Sequence, residues 1–214
     1  MFPTLTQKSV YPRFSIYVEK PLKGRLRLKN ILEVRWHGRG GQGAWTASEL
    51  LARAAISEGK HVQSFPEFGA ERMGAPVTAF TRISSEPIRL HCAVYSPDVV
   101  AVLDSTLLKS VNVVDGLSDE GGNIVVNTKA QPVEVRTQLS SNRGRLWTVP
   151  ATEISIKILG MPITNTAMLG AVARVTGIVN METVEKMVKG RFRPDVAEKN
   201  FAVVKEAYEE VKPE

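Results

Sequence analysis

Four of the six residues from Gly38 to Gly43 are glycine, and this run separates a strand-like pattern from a helix-like one. Glycine lacks a Cβ, so such a loop turns tightly and leaves its backbone amides uncovered. Upstream, Leu32, Val34 and Trp36 alternate with Glu33, Arg35 and His37, the period-two signature of a half-buried strand. Downstream, Ala44, Ala47, Leu51, Ala54 and Ala55 recur at helical spacing until Gly59 supplies a stop. Strand, glycine loop and helix form the opening of a βαβ unit. Amides gathered at a helix N-terminus meet the positive end of its dipole, a setting that attracts an anion, most often a phosphate.

Gly38, Gly40 and Gly43 satisfy the dinucleotide pattern G-x-G-x-x-G. That pattern also needs a ribose-binding carboxylate at the end of the second strand, about 20 residues further on. Here the strand His61–Phe65 runs into Pro66 and Glu67, and Glu67 opens a different motif. A stand-alone nucleotide-binding dehydrogenase therefore remains an alternative and not the main reading.

The composition removes other classes. The net charge of +6 belongs to residues 1–30, where seven Lys and Arg face one Glu, so residues 31–214 are formally neutral. A nucleic-acid reading would rest on that basic extension alone, and none is adopted. No apolar run reaches the length of a membrane span and residues 1–10 carry no secretory core, so neither membrane nor secretion is expected and the default location is the cytoplasm. One cysteine, Cys92, cannot hold an iron–sulfur cluster, which usually takes four thiolates. Its place in the strand-like run Ile88–Cys92 predicts a small buried hydrophobe. His37, His61 and His91 show no metal-ligand spacing, and neither a nucleophile elbow nor a P-loop is present. No residue of this chain is singled out as catalytic or as a metal ligand.

Along the rest of the chain, Val77, Ala79 and Thr81 alternate with Thr78, Phe80 and Arg82, which predicts an antiparallel strand with one wet face, paired with Ile88–Cys92 across the turn 84–87. Val99–Leu103 is a continuous apolar run ending in Asp104, the pattern of a parallel strand covered on both faces, with Ser105 or Thr106 as the cap of a following helix. Ile124–Val126 and Leu146–Val149 are further strands, and helices are expected near 152–159, 166–175, 183–188 and 196–211. The alternation predicts an open, mostly parallel, Rossmann-like α/β sheet with helices on both faces and a helical C-terminal part, all in one domain from 31 to 214. In such sheets ligands bind outside the carboxyl ends of the strands. The glycine loop, Pro66-Glu67, Asp104-Ser105 and Asn127-Thr128 all fall there. Asp104 as a helix cap and Asn127 as a turn residue are the plain alternatives.

Two motifs carry a resemblance. WHGRGGQG (36–43), followed by FPEFGAERMGAPVTAFTRIS (65–84), resembles the gamma subunit of 2-oxoacid:ferredoxin oxidoreductases, and PDVVAVLDSTLL (97–108) and MPITNTAMLGAVARVTG (161–177) are similar to it as well. The likeness spans residues 31 to about 208, with the pyruvate members nearest. Met73, where a second arginine is common, and the extension 1–30 depart from the pattern. The resemblance implies a multi-subunit complex with alpha, beta and ferredoxin-like delta subunits. Thiamine diphosphate, magnesium and iron–sulfur clusters would sit in those partners. Coenzyme A would accept the acyl group, and ferredoxin would be the external electron acceptor. A purely structural subunit of a 2-oxoisovalerate or 2-oxoglutarate enzyme is the alternative within the family. Coenzyme A carries a diphosphate, so Gly38, Arg39, Gly40, Gly41, Gln42 and Gly43, with Asp104 and Asn127, are the expected ligand-facing residues. Glu67, Glu71 and Arg72, set among small residues, are the expected interface charges.

Overall fold

The computed structural model describes residues 31–67, 73–117, 121–139 and 141–214. The extension 1–30 and the interface candidates Glu71 and Arg72 lie outside them.

Strand β1 (Ile31–Arg39) leads through the glycine loop into helix α1 (Ala44–Ser57), and β2 (His61–Pro66) and β3 (Pro76–Ser84) follow. Next come β4 (Val99–Val102), a 3₁₀ turn over Ser105–Lys109, β5 (Asn123–Asn127), the short α2 (Pro132–Arg136) and β6 (Arg145–Val149). Four helices then succeed one another, α3 (Ala151–Leu159), α4 (Asn165–Thr176), α5 (Met181–Arg191) and α6 (Pro194–Glu210), before the two-residue β7 (Lys212–Pro213). The strands form one sheet in the order β2-β3-β1-β4-β5-β6-β7. Strands β1, β4, β5 and β6 are parallel, β3 lies antiparallel between β1 and β2, and β7 closes the far side antiparallel to β6.

The first unit therefore differs from a simple βαβ. Strand β2 runs parallel to β1 but is separated from it by β3. With β1 on one side and β2 on the other, β3 has no free edge. That is why residues 88–92 do not pair with it: they form irregular chain, and Cys92 is exposed instead of buried. The expected wet face of β3 is also absent. Phe80 packs against Phe65 in a tilted pair with ring centroids 5.2 Å apart, and Arg82 is 1% exposed.

Each face of the sheet buries its own core. On one, Val34, Trp36, Ala101 and Val125 pack with Leu51 of α1, Met168 of α4 and Val203 of α6. On the other, Val100, Val102, Ile124 and Val126 meet Leu107, Leu117 and Val135 of α2. Helices cover both faces, with the long ones gathered on the first. Burying one large aliphatic side chain contributes about 1.5–3 kcal/mol, so these two layers dominate stability. Helix α4 is buried from Asn165 through Ala173. Gly170 permits this, because a Cβ there would collide with the Val204 backbone of α6. Among the described residues no helix is long and apolar enough to cross a membrane.

Candidate functional site

The parallel strands deliver their carboxyl ends to one side of the sheet, and the polar groups collect there. Arg39, the last residue of β1, donates through Nε to Asp104 Oδ2 (3.1 Å), through Nη1 to the Gly74 carbonyl (3.1 Å) and through Nη2 to Thr106 Oγ1 (2.8 Å). Gln42 joins the same carboxylate with its Nε2 (2.9 Å) and accepts the Arg39 amide on Oε1 (2.8 Å). Asp104, just past β4, also receives the amide and hydroxyl of Thr106 on Oδ1. Burial alone would raise its pKa. The hydrogen bonds from Thr106 and Gln42 and the charge of Arg39 outweigh that and hold the carboxyl below its ordinary range. Asp104, not Ser105 or Thr106, is thus the side-chain cap, and it caps a 3₁₀ turn.

The glycine loop is braced by the β2–β3 connection, because the Gly40 amide donates to the Ala75 carbonyl and the Gly74 amide to the Gly40 carbonyl. The Gln42 amide bonds the Arg39 carbonyl. Three loop amides, those of Arg39, Gly40 and Gln42, are therefore spent inside the chain, contrary to the expectation of a fully uncovered loop. Gly41 (φ 92°) and Gly43 (φ 78°) occupy the left-handed region that side chains resist, and Gly43 is the N-cap of α1 with no side chain closing the helix end.

The remaining expected residues are placed as follows. Asn127, at the end of β5, donates to the Leu103 carbonyl (2.8 Å) and to Thr152 Oγ1 (2.9 Å) and accepts the Thr152 amide (3.1 Å). It ties β4 to the start of α3, next to the Asp104 cluster, with its own amide fully engaged. Glu67 is exposed, its amide bonds the Thr78 carbonyl, and its negative charge acts on Arg35. Thr106, expected as an alternative cap, instead donates to Asp104 and accepts from Arg39. Two participants escaped the sequence reading. Gly74 had no signal of its own. Asn165 opens α4 and abuts the glycine loop: a Cβ on Gly43 would lie 2.6 Å from Asn165 Nδ2. Exposed apolar side chains flank these segments in the chain: Trp45 on the first turn of α1, Met73, whose sulfur sits over Gly41, and Met161 and Ile163 shortly before Asn165. Among the described residues no three His, Cys, Asp or Glu side chains gather into a metal-binding group.

Several known proteins are similar to this chain. A family model described as pyruvate ferredoxin/flavodoxin oxidoreductase matches residues 33–210. The chain is 54% identical over 179 residues to the pyruvate/ketoisovalerate oxidoreductases common subunit gamma of Pyrococcus furiosus, a match spanning 84% of this chain and 96% of that one. It is 48% identical over 181 residues to pyruvate synthase subunit PorC of Methanocaldococcus jannaschii, across 85% of this chain and 97% of that one. The crystal structure of pyruvate oxidoreductase subunit PORC from Thermotoga maritima superimposes with a TM-score of 0.78 at 46% identity, covering 86% of this chain and 99% of that one.

Proposed function

The chain belongs to the pyruvate ferredoxin/flavodoxin oxidoreductase family as a gamma-type subunit, and from that premise we propose that it works within a multi-subunit enzyme that oxidises pyruvate, its Gly38–Gly43 loop forming part of the coenzyme A docking site. The overall reaction converts pyruvate, coenzyme A and oxidised ferredoxin to acetyl-coenzyme A, CO2 and reduced ferredoxin. Iron–sulfur clusters and thiamine diphosphate with its magnesium belong to the alpha, beta and delta partners. A single exposed cysteine does not fit a cluster.

The observation that carries this reading is Arg39 at the mouth of the glycine loop. Of the five N–H groups of its guanidinium, three are committed to Asp104, Gly74 and Thr106. Among the described residues the other two take no partner; with the positive end of α1 they are left for a diphosphate, and a guanidinium suits phosphate oxygens in planar, paired geometry. Asp104 does not face the ligand as a free charge. It aims Arg39 and Gln42, and Asn127 in turn fixes the strand end that carries Asp104. The exposed rim of Trp45, Met73, Met161 and Ile163 supports a loop buried against a partner on assembly. Glu67, with Glu71 and Arg72, belongs to the same proposed interface. The choice of 2-oxoacid is placed on the partner subunits. The Pyrococcus furiosus relative, whose name makes it common to pyruvate and ketoisovalerate enzymes, supports that assignment.

In the assembled complex, Arg39→Ala is expected to raise the apparent KM for coenzyme A by about tenfold, the loss of one charge-assisted contact, and Gly40→Val to raise it as well by placing a branched side chain on the loop. Release of CO2 from the 2-oxoacid, followed separately, is expected to hold. Unchanged coenzyme A kinetics in a correctly assembled complex would overturn the proposal.

A further inference from the structure

We infer that Asn165 fixes a phosphate group at the point where the N-termini of α1 and α4 meet. The inference rests on the coenzyme A reading above and names a residue, and an arrangement, that the loop by itself does not contain.

Helices α1 and α4 begin against each other, since Gly43 caps the first and Asn165 opens the second, and a Cβ on Gly43 would lie 3.2 Å from the Asn165 Cβ. Asn165 is only 8% exposed. Its Oδ1 accepts the Thr166 amide (2.8 Å). Because an oxygen is needed there, the orientation of the side-chain amide is settled, and Nδ2 faces Gly43. Among the described residues Nδ2 has no hydrogen-bond partner. The residue is nearly buried, yet Nδ2 is not among the buried atoms left unpaired, so this one donor still reaches solvent and is open to an acceptor brought by a ligand.

That acceptor is an anion. Four of the helices carry an acid in the first turn, Glu134 in α2, Glu153 in α3, Glu182 in α5 and Asp195 in α6. The two that converge on Asn165, α1 and α4, carry none, and neither N-cap supplies a side-chain acceptor. Their dipoles are thus uncompensated at one place. The nearby carboxylate of Asp104 is engaged by Arg39, Gln42 and Thr106, so it does not stand in for the missing charge. A phosphate has enough acceptor oxygens to take Nδ2, helix amides and a spare Arg39 N–H together. Gly43 is required twice over, by its positive φ and by the space Asn165 occupies.

The test has two arms. In the first, the 15N-labelled full chain is titrated with coenzyme A and, separately, with inorganic pyrophosphate, and the Asn165 side-chain amide resonances are followed. Both ligands are expected to move them. In the second, the assembled complex carrying Asn165→Asp, which keeps volume and Oδ1 but replaces the donor with charge, is expected to show a KM for coenzyme A raised by at least about tenfold, with a smaller change in kcat. Movement with pyrophosphate but an unchanged KM means an adventitious ion only and overturns the inference. So do stationary resonances with both ligands. If Arg39→Ala and Gly40→Val still raise the KM in either case, the loop reading survives; if they do not, both fall together. The wild-type titration needs no variant, so it decides the matter even where Asn165→Asp fails to assemble.

Discussion

Strand β1 carries an ion pair near each end, and the two are built to opposite specifications. Near its start, Glu33 Oε1 accepts from Arg82 Nε at 2.9 Å, with side chains 9% and 1% exposed. Four of the five N–H groups of that guanidinium are committed, to Glu33, Gln63 Oε1, the Ala93 carbonyl and the Cys92 sulfur, with the Phe65 ring 5.6 Å away. At its end, Arg39 pairs with Asp104 at 3.1 Å, but the side chains are 30% and 17% exposed and two N–H groups have no partner among the described residues. A closed network stabilises a fold and offers a ligand nothing. An open one contributes little to stability and keeps hydrogen-bonding capacity for something else. One strand thus carries a buried, nearly saturated network near its start and a more open one at its end.

The buried end should break hardest. Arg82→Met takes a buried cation away from the Glu33 carboxylate and from Gln63 and Ala93, and breaking a buried ion pair costs about 3–5 kcal/mol. For a domain of this size that lowers Tm by roughly 6–20 °C, read by circular dichroism on the full chain. Replacing both members, Glu33→Leu with Arg82→Leu, should recover much of the loss, because the desolvation of two charges disappears with the attraction. A single substitution that costs less than about 1 kcal/mol, as exposed pairs do, would erase the distinction between the two ends.

The middle of β1 adds a pH dependence to the buried side. Arg35 Nε donates to His37 Nε2 (3.1 Å), and Arg35 Nη2 reaches the carbonyls of Val113 and Asp115. Burial, reinforced by the Arg35 charge, pushes the His37 pKa down to about 3. The unfolded chain, with an ordinary histidine near about 6.5, binds the proton more readily, so acid favours unfolding. The stabilisation is complete above about pH 6.5 and is lost as pH falls toward about 3, at roughly 1.4 kcal/mol per unit. By pH 5 the loss is on the order of 2 kcal/mol. Denaturant titrations of the wild type and His37→Gln at pH 7 and pH 5 measure it: the variant should show the flatter profile, and parallel profiles would exclude His37 as the source.

How far this division could be read from the sequence follows from where its partners lie. The alternation of β1 and the glycine punctuation were legible because both are local, and so was the parallel core from Val99–Val102 and Ile124–Val126. The alternation misled about the polar face. Glu33, Arg35 and His37 are buried, since Arg82, Val113 and Asp115 arrive from 49 to 80 residues away to satisfy them. The same long-range insertion, β3 between β1 and β2, made 88–92 irregular and exposed Cys92. In the site, Arg39, Gln42 and Asp104 were legible from the rule that ligands gather at strand ends. Asn165 was not, because it reaches the loop from the start of α4, more than 120 residues downstream.

The open end should break least in stability and most in ligand affinity. Arg39→Ala removes a partly exposed pair worth about 0–1 kcal/mol, so Tm should fall by no more than about 4 °C. Asp104 keeps Thr106 and Gln42 as donors, so no buried charge is orphaned. Nor does the loop lose its brace, since the Gly40 and Gly74 backbone bonds do not involve the guanidinium. The same variant nevertheless removes a positive charge from beside the proposed phosphate site. Thermal unfolding and coenzyme A kinetics on one preparation therefore give a ratio, a small shift in Tm against about a tenfold change in KM. Arg82→Met should give the reverse ratio. A Tm shift for Arg39→Ala as large as that of Arg82→Met would make both ends of β1 structural and leave the loop without its ligand.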